Sequence, residues 1–184
     1  MNASEVLREE HRAIELALTI LGRVSNRLES GRKIDHKDLG RILEFLKGFV
    51  DTCHHGKEED LLFVALENAG ISRARGPITV LLREHEVGRS YVRNMAGAVE
   101  KYKTGGPSSA SQFVENARKY ARLLSAHIRK EDTILYPMAN TGLPEETQHE
   151  LIEKFEELER DRIGIGKHEE LHELLHRLND KYPE

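Results

Sequence analysis

A chain of 184 residues can bury one real core, and 38% hydrophobic with 33% charged residues is the balance of a globular protein with a charge-rich surface. A net charge of -4 gives no electrostatic footing for nucleic acid, and no apolar run approaches the roughly 20 residues that cross a bilayer, so neither nucleic acid nor membrane is an expected partner. The one cysteine, Cys53, excludes an intrachain disulfide, a CxxC pair and a cysteine-built zinc site; with a charged start that lacks a signal-peptide core, this points to the cytoplasm.

Helical periodicity dominates in chain order. A first helix is expected from about Ala3 to Ser30, with Leu7, Ile14, Leu18 and Leu21 on one face and Gly31 as its stop. A second runs from about Asp35 to Asn68, with Leu39, Leu46, Val50 and Leu62 on its stripe, and ends at Gly70. A third runs from Pro77 to Lys103, carrying Ile78, Leu81 and Val92 inward, before Gly105, Gly106 and Pro107 break the chain. A fourth runs from about Ser109 to Tyr136, through Phe113, Tyr120, Leu124 and Leu135, and is expected to stop at Pro137. Long helices on short Gly/Pro connections predict an all-α, antiparallel up-down four-helix bundle over residues 1–140. Residues 141–184 read as a C-terminal helical extension packed on the bundle, with helices from Glu145 to about Arg160 and from Lys167 to about Lys181.

Ten histidines are present, and their placement carries the chemistry. On the second helix Val50, His54, Glu58 and Leu62 share a face; on the fourth, Leu124, His127, Glu131 and Leu135 do the same. His11 falls between Leu7 and Ile14, and His85 between Leu81 and Val92. The pattern is duplicated. His54 to Phe63 aligns with His127 to Tyr136 without a gap, and Glu10-His11 recurs as Glu84-His85. Two hairpins, each giving His from its first helix and His-x-x-x-Glu from its second, would bring six ionisable side chains to one point. Buried unpaired, each would cost several kcal/mol; divalent metal ions remove that cost. Imidazole and carboxylate donors suit iron or manganese, with zinc also possible, and two carboxylates can bridge two metals about 3.5–4 Å apart.

At Glu9-Glu10-His11, His54 to Phe63, Arg83-Glu84-His85-Glu86 and His127 to Pro137 the sequence resembles the hemerythrin-like family, with its His-His-Glu cation-binding motifs. The resemblance implies two non-haem iron ions in an oxo- or hydroxo-bridged centre ligated by His11, His54, Glu58, His85, His127 and Glu131. By that analogy His11 and His127 serve one iron, His54 and His85 the other, and Glu58 and Glu131 bridge. The partner it implies is a small ligand such as oxygen, nitric oxide or peroxide, or iron itself. The enzyme alternative is a di-iron oxidoreductase in nitrosative or oxidative stress, or in iron-sulfur cluster repair. Oxygen-carrying hemerythrins place a second histidine where this chain has Arg89, and an aspartate where it has Glu131. That departure sets the chain nearer the stress, iron-repair and iron-sensing relatives.

The remaining candidates read as structural. His55 lies at the edge of the stripe, outside the ligand set. His172 and His176 read as a solvated face, while His168 shares a face with Leu171 and Leu175. Cys53 and Tyr120 read as packed core residues, and Arg89 as reaching out to solvent.

Overall fold

The computed structural model describes residues 2–184, and its regular elements are all helical. Helix α1 (Ala3–Glu29) starts on a reciprocal cap: Asn2 Oδ1 accepts from the Glu5 N–H, and the Glu5 carboxylate accepts from the Asn2 N–H. Helix α2 (residues 36–68) starts on Asp35, whose side chain accepts from the Lys37 N–H. Helix α3 (Pro77–Lys103) has proline in its first turn, where no N–H is needed. Helix α4 covers residues 109–142, α5 is Glu145–Arg162 and α6 is Lys167–Lys181. Helices α1 to α4 form the antiparallel bundle, α1 lying beside α4 and α2 beside α3.

Two departures from the expected periodicity bear on the site. Helix α2 is π-helical over Leu46–His55 and Glu58–Leu62, and α4 over Glu131–Leu135. In these stretches the N–H reaches back five residues, as from Gly56 to Asp51, Phe63 to Glu58 and Tyr136 to Glu131. The second departure follows from the first. Helix α4 does not stop at Pro137 but continues to Gly142. The wide turn at 131–135 shifts the hydrogen-bond register, so the missing proline N–H falls in the first turn of the resumed α-helix, where none is required.

The apolar interior is divided into two blocks. One holds Ile14 to Leu28 of α1, Leu39 to Val50 of α2, Val92 to Val99 of α3 and Phe113 to Ile128 of α4. The other holds Leu7, Leu62, Phe63, Leu66, Ile78, Leu81, Leu135 and Tyr136. On each bundle helix the motif histidine falls at the junction of the two blocks, with Glu58 on α2 and Glu131 on α4. A polar layer thus crosses the bundle.

Helices α5 and α6 lie across α1 and α2. Leu151 and Phe155 join the block holding Leu7, and Leu171, Leu174, Leu175 and Leu178 join the other. Close approach is permitted by two glycines on α2: a Cβ at Gly48 would stand 3.3 Å from Leu171, and one at Gly56 3.1 Å from Arg162. The far end is tied by Tyr182, whose hydroxyl donates to the buried Asp38 at 2.6 Å, with Lys181 and Arg41 paired to the same carboxylate. Tyr182→Phe is expected to lower stability by about 1.5–3 kcal/mol, the range for a hydrogen bond to a charged group; urea unfolding measures it, and an unchanged midpoint contradicts it.

Candidate metal centre

His11, His54, His85 and His127 all turn into the polar layer and are buried there with Glu58 and Glu131. Behind each imidazole a carboxylate from the neighbouring helix meets Nδ1. Glu10 of α1 holds His54 of α2 at 2.8 Å, and Glu59 of α2 holds His85 of α3 at 2.7 Å. Glu84 of α3 holds His127 of α4 at 2.9 Å, and Asp132 of α4 closes the ring on His11 of α1 at 3.1 Å. An ionised carboxylate only accepts, so each Nδ1 carries the proton and each Nε2 presents a lone pair inward.

Those lone pairs converge. His11 Nε2 lies 3.2 Å from His54 Nε2, and His85 Nε2 lies 3.0 Å from His127 Nε2. Glu131 spans both pairs, 3.2 Å from His11 and 2.8 Å from His127. Glu58 does likewise, 3.8 Å from His54 and 3.4 Å from His85. Glu58 Oε2 and both Glu131 oxygens nevertheless have no hydrogen-bond donor. Facing lone pairs and undonated buried carboxylate oxygens repel unless positive charge lies between them, so the residues fit a cation pair. Protons can stand in for it. Burial pushes His11 and His127 down, but Asp132 and Glu131 raise the first to about 9, and Glu131 and Glu84 the second to about 10. His85 is raised against burial by Glu58 and Glu59, and Glu131 is held well below the usual carboxylate range by His127 and His11.

The donor atoms fall into two groups that could each hold a metal: His11, His54, Glu58 and Glu131, and His55, Glu58, His85 and His127. This grouping differs from two expectations. Each histidine pair comes from one hairpin, not from opposite ones, so His11 goes with His54 and His85 with His127. And His55 falls within the second of these groups. Its ring is buried and stacks on His85 at 3.8 Å. Burial and the neighbouring imidazoles push it well below the ordinary range, so it is neutral. Ideal α-periodicity puts His55 at the stripe's edge; the π-helical stretch ending there gives fewer degrees per residue and turns both His54 and His55 inward.

Residues 2–139 match the hemerythrin HHE cation binding domain. The chain belongs to the hemerythrin HHE cation-binding family. It is also 23% identical over 164 residues to uncharacterized proteins of Mycobacterium bovis and Mycobacterium tuberculosis, a stretch covering 89% of this chain and 64% of each relative. The chain thus spans under two thirds of those relatives' length.

In this HHE domain the outer carboxylates Glu10, Glu59, Glu84 and Asp132 had a signal in the sequence: Glu10 pairs with Glu84 and Glu59 with Asp132 in the internal repeat. Lysines complete the duplication, Lys57 bonding Glu10 and Lys130 bonding Glu84. The halves then differ. Glu159 of α5 also accepts from Lys57, at 3.0 Å, and the Lys57 side chain is 2% exposed against 37% for Lys130. Between them, His54 and Lys57 outweigh burial and hold Glu10 down at about 2. Glu10, Glu159 and His168 form a third group of donor atoms, but the Lys57 ammonium is bonded to both of its carboxylates.

Arg89 does not reach out to solvent. It donates to Asp51 at 2.8 Å, to Glu59 at 2.6 Å and to Glu86 at 2.6 Å, and so braces the carboxylates behind His55 and His85. His172 is not on a solvated face: it is half-buried, edge-on to Phe49 at 5.0 Å, with His168 tilted on the same ring and His176 exposed. Cys53 is buried, and desolvation pushes its thiol up to about 12, which leaves it unreactive.

Raised histidines stabilise the metal-free fold only while protonated. That contribution is complete below about pH 6.5, the ordinary histidine value, and is lost as pH rises through about 9 to 10. Chelated protein is therefore expected to lose melting temperature between pH 7 and 10 while metal-loaded protein changes little. Parallel pH profiles of the two forms in calorimetry would contradict this.

Proposed function

We propose that this domain holds two iron ions, one served by His11 and His54 and the other by His85, His127 and His55, with Glu58 and Glu131 shared. We further propose that it binds a small ligand there, such as oxygen, nitric oxide or peroxide, as a cytoplasmic protein. The observation that supports this best is the convergence of inward imidazole lone pairs and undonated carboxylate oxygens in one buried layer. A donor set of nitrogen and oxygen without sulfur suits iron. Such a pair, when bound, supplies open coordination positions and electrons for a small ligand.

The chain's own residues do the rest. The Nδ1–carboxylate ring fixes each tautomer and aims each Nε2. The apolar blocks on either side keep water and bulky molecules out. A donor stands at one half only. The Tyr136 hydroxyl donates to Glu58 Oε1 at 2.8 Å and lies 3.2 Å from His11 Nε2, its ring stacked on His11 at 5.4 Å. Its repeat partner Phe63 stacks on His85 at 6.1 Å with no hydroxyl to offer. The Tyr136 hydroxyl is thus held on Glu58 beside His11, whereas the extra imidazole His55 stands beside His85.

Metal analysis and an absorption spectrum of aerobically purified protein test the reading. The expected result is close to two irons per chain with ferric bands in the near ultraviolet. His54→Ala and Glu131→Ala should each lose metal, and His172→Ala should not; full retention in the first two contradicts the ligand set. Glu10→Gln should keep the fold and weaken metal binding roughly 10–100-fold, the usual cost of losing an outer carboxylate, as read by competition with a chelator.

A further inference from the structure

A cavity of about 320 Å³ opens between α2 and α3 and ends on the His55 ring. His55 is both part of its lining and part of the ligand group with His85 and His127. The ring divides the two spaces. Its Nδ1 faces Asp51, itself a lining residue, at 3.4 Å, and its Nε2 is buried without a hydrogen-bond partner. Gly88 of α3 and Tyr120 of α4 form the floor, and a Cβ at Gly88 would stand only 3.5 Å from the Tyr120 ring.

Ion pairing at the rim is uneven. The Arg89 guanidinium is matched by Asp51, Glu59 and Glu86. Lys47 and Arg93, both exposed and both lining the opening, have no carboxylate partner among the described residues. Lys47 and Arg93 are therefore the two cations at the mouth left free to meet a small anion directly.

We infer that this cavity is the port of the centre, drawing small anions in past Lys47 and Arg93 to the His55 side of the metal pair. The inference rests on the metal-binding reading above. It makes the two halves unequal in access as well as in ligands, since entry is from the half that has His55.

Azide is the probe. In metal-loaded protein, Gly88→Leu fills the floor and Thr52→Trp crowds the mouth. Each is expected to slow azide binding at least tenfold, followed by absorbance, with metal content unchanged. Lys47→Glu combined with Arg93→Glu is expected to slow azide several-fold at low salt and to leave the binding rate of uncharged nitric oxide unchanged. In crystals of metal-free protein soaked in bromide, anomalous scattering is expected at the rim cations and is expected to vanish in the double variant. Wild-type azide rates in both blocking variants, at full metal load, overturn the port while leaving the metal reading intact. A wild-type protein that takes up no metal overturns the metal reading itself.

Discussion

The structure depends on a ring of four hydrogen bonds, each running from an imidazole Nδ1 to a carboxylate on the next helix. The ring passes through α1, α2, α3 and α4 and returns to α1. It does two things at once. It ties neighbouring helices together at the level where apolar packing is interrupted, and it decides which nitrogen of each histidine is free. Without it, the imidazoles could turn or change tautomer, and the inward convergence of lone pairs would be lost.

A polar layer inside a helical bundle costs free energy that the flanking apolar blocks must offset. The chain limits that cost in two ways. Outer lysines and Arg89 neutralise the carboxylates of the ring, so the negative charge behind the imidazoles is compensated close by. Inside, Glu58, Glu131 and the facing nitrogens call for positive charge between them, which protons on His11, His85 and His127 supply in the metal-free fold. The duplicated hairpin gives the layer its near-symmetry. That near-symmetry is broken by Tyr136 against Phe63, by His55 against Ile128, and by a covered Lys57 against a half-open Lys130.

Much of this was legible in the sequence. Apolar spacing and Gly/Pro breaks gave the four bundle helices and the two helices that follow. The repeat of His54–Glu58 in His127–Glu131, with one histidine on each remaining helix, pointed to the residues that the fold brings together. What escaped was whatever ideal helical geometry misplaces. His55 and the continuation past Pro137 both follow from π-helical turns, which local composition does not announce because their cause is tertiary: a wide turn is held only when the groups it redirects find partners. The pairing of His11 with His54 escaped for a different reason. Helical phase says that a side chain points inward, not which inward neighbour it meets. The role of Arg89 required knowing that Asp51, Glu59 and Glu86 surround it. The outer carboxylates stood in the repeat all along, but their partners lie on other helices.

The most direct test of the central claim is the position of the metals. Iron-edge anomalous diffraction from loaded crystals should show two peaks in the polar layer, one against His11 and His54 and one against His85 and His127, with Glu58 and Glu131 touching both. A single peak, a pair divided between hairpins, or metal found only among Glu10, Glu159 and His168 would contradict the account.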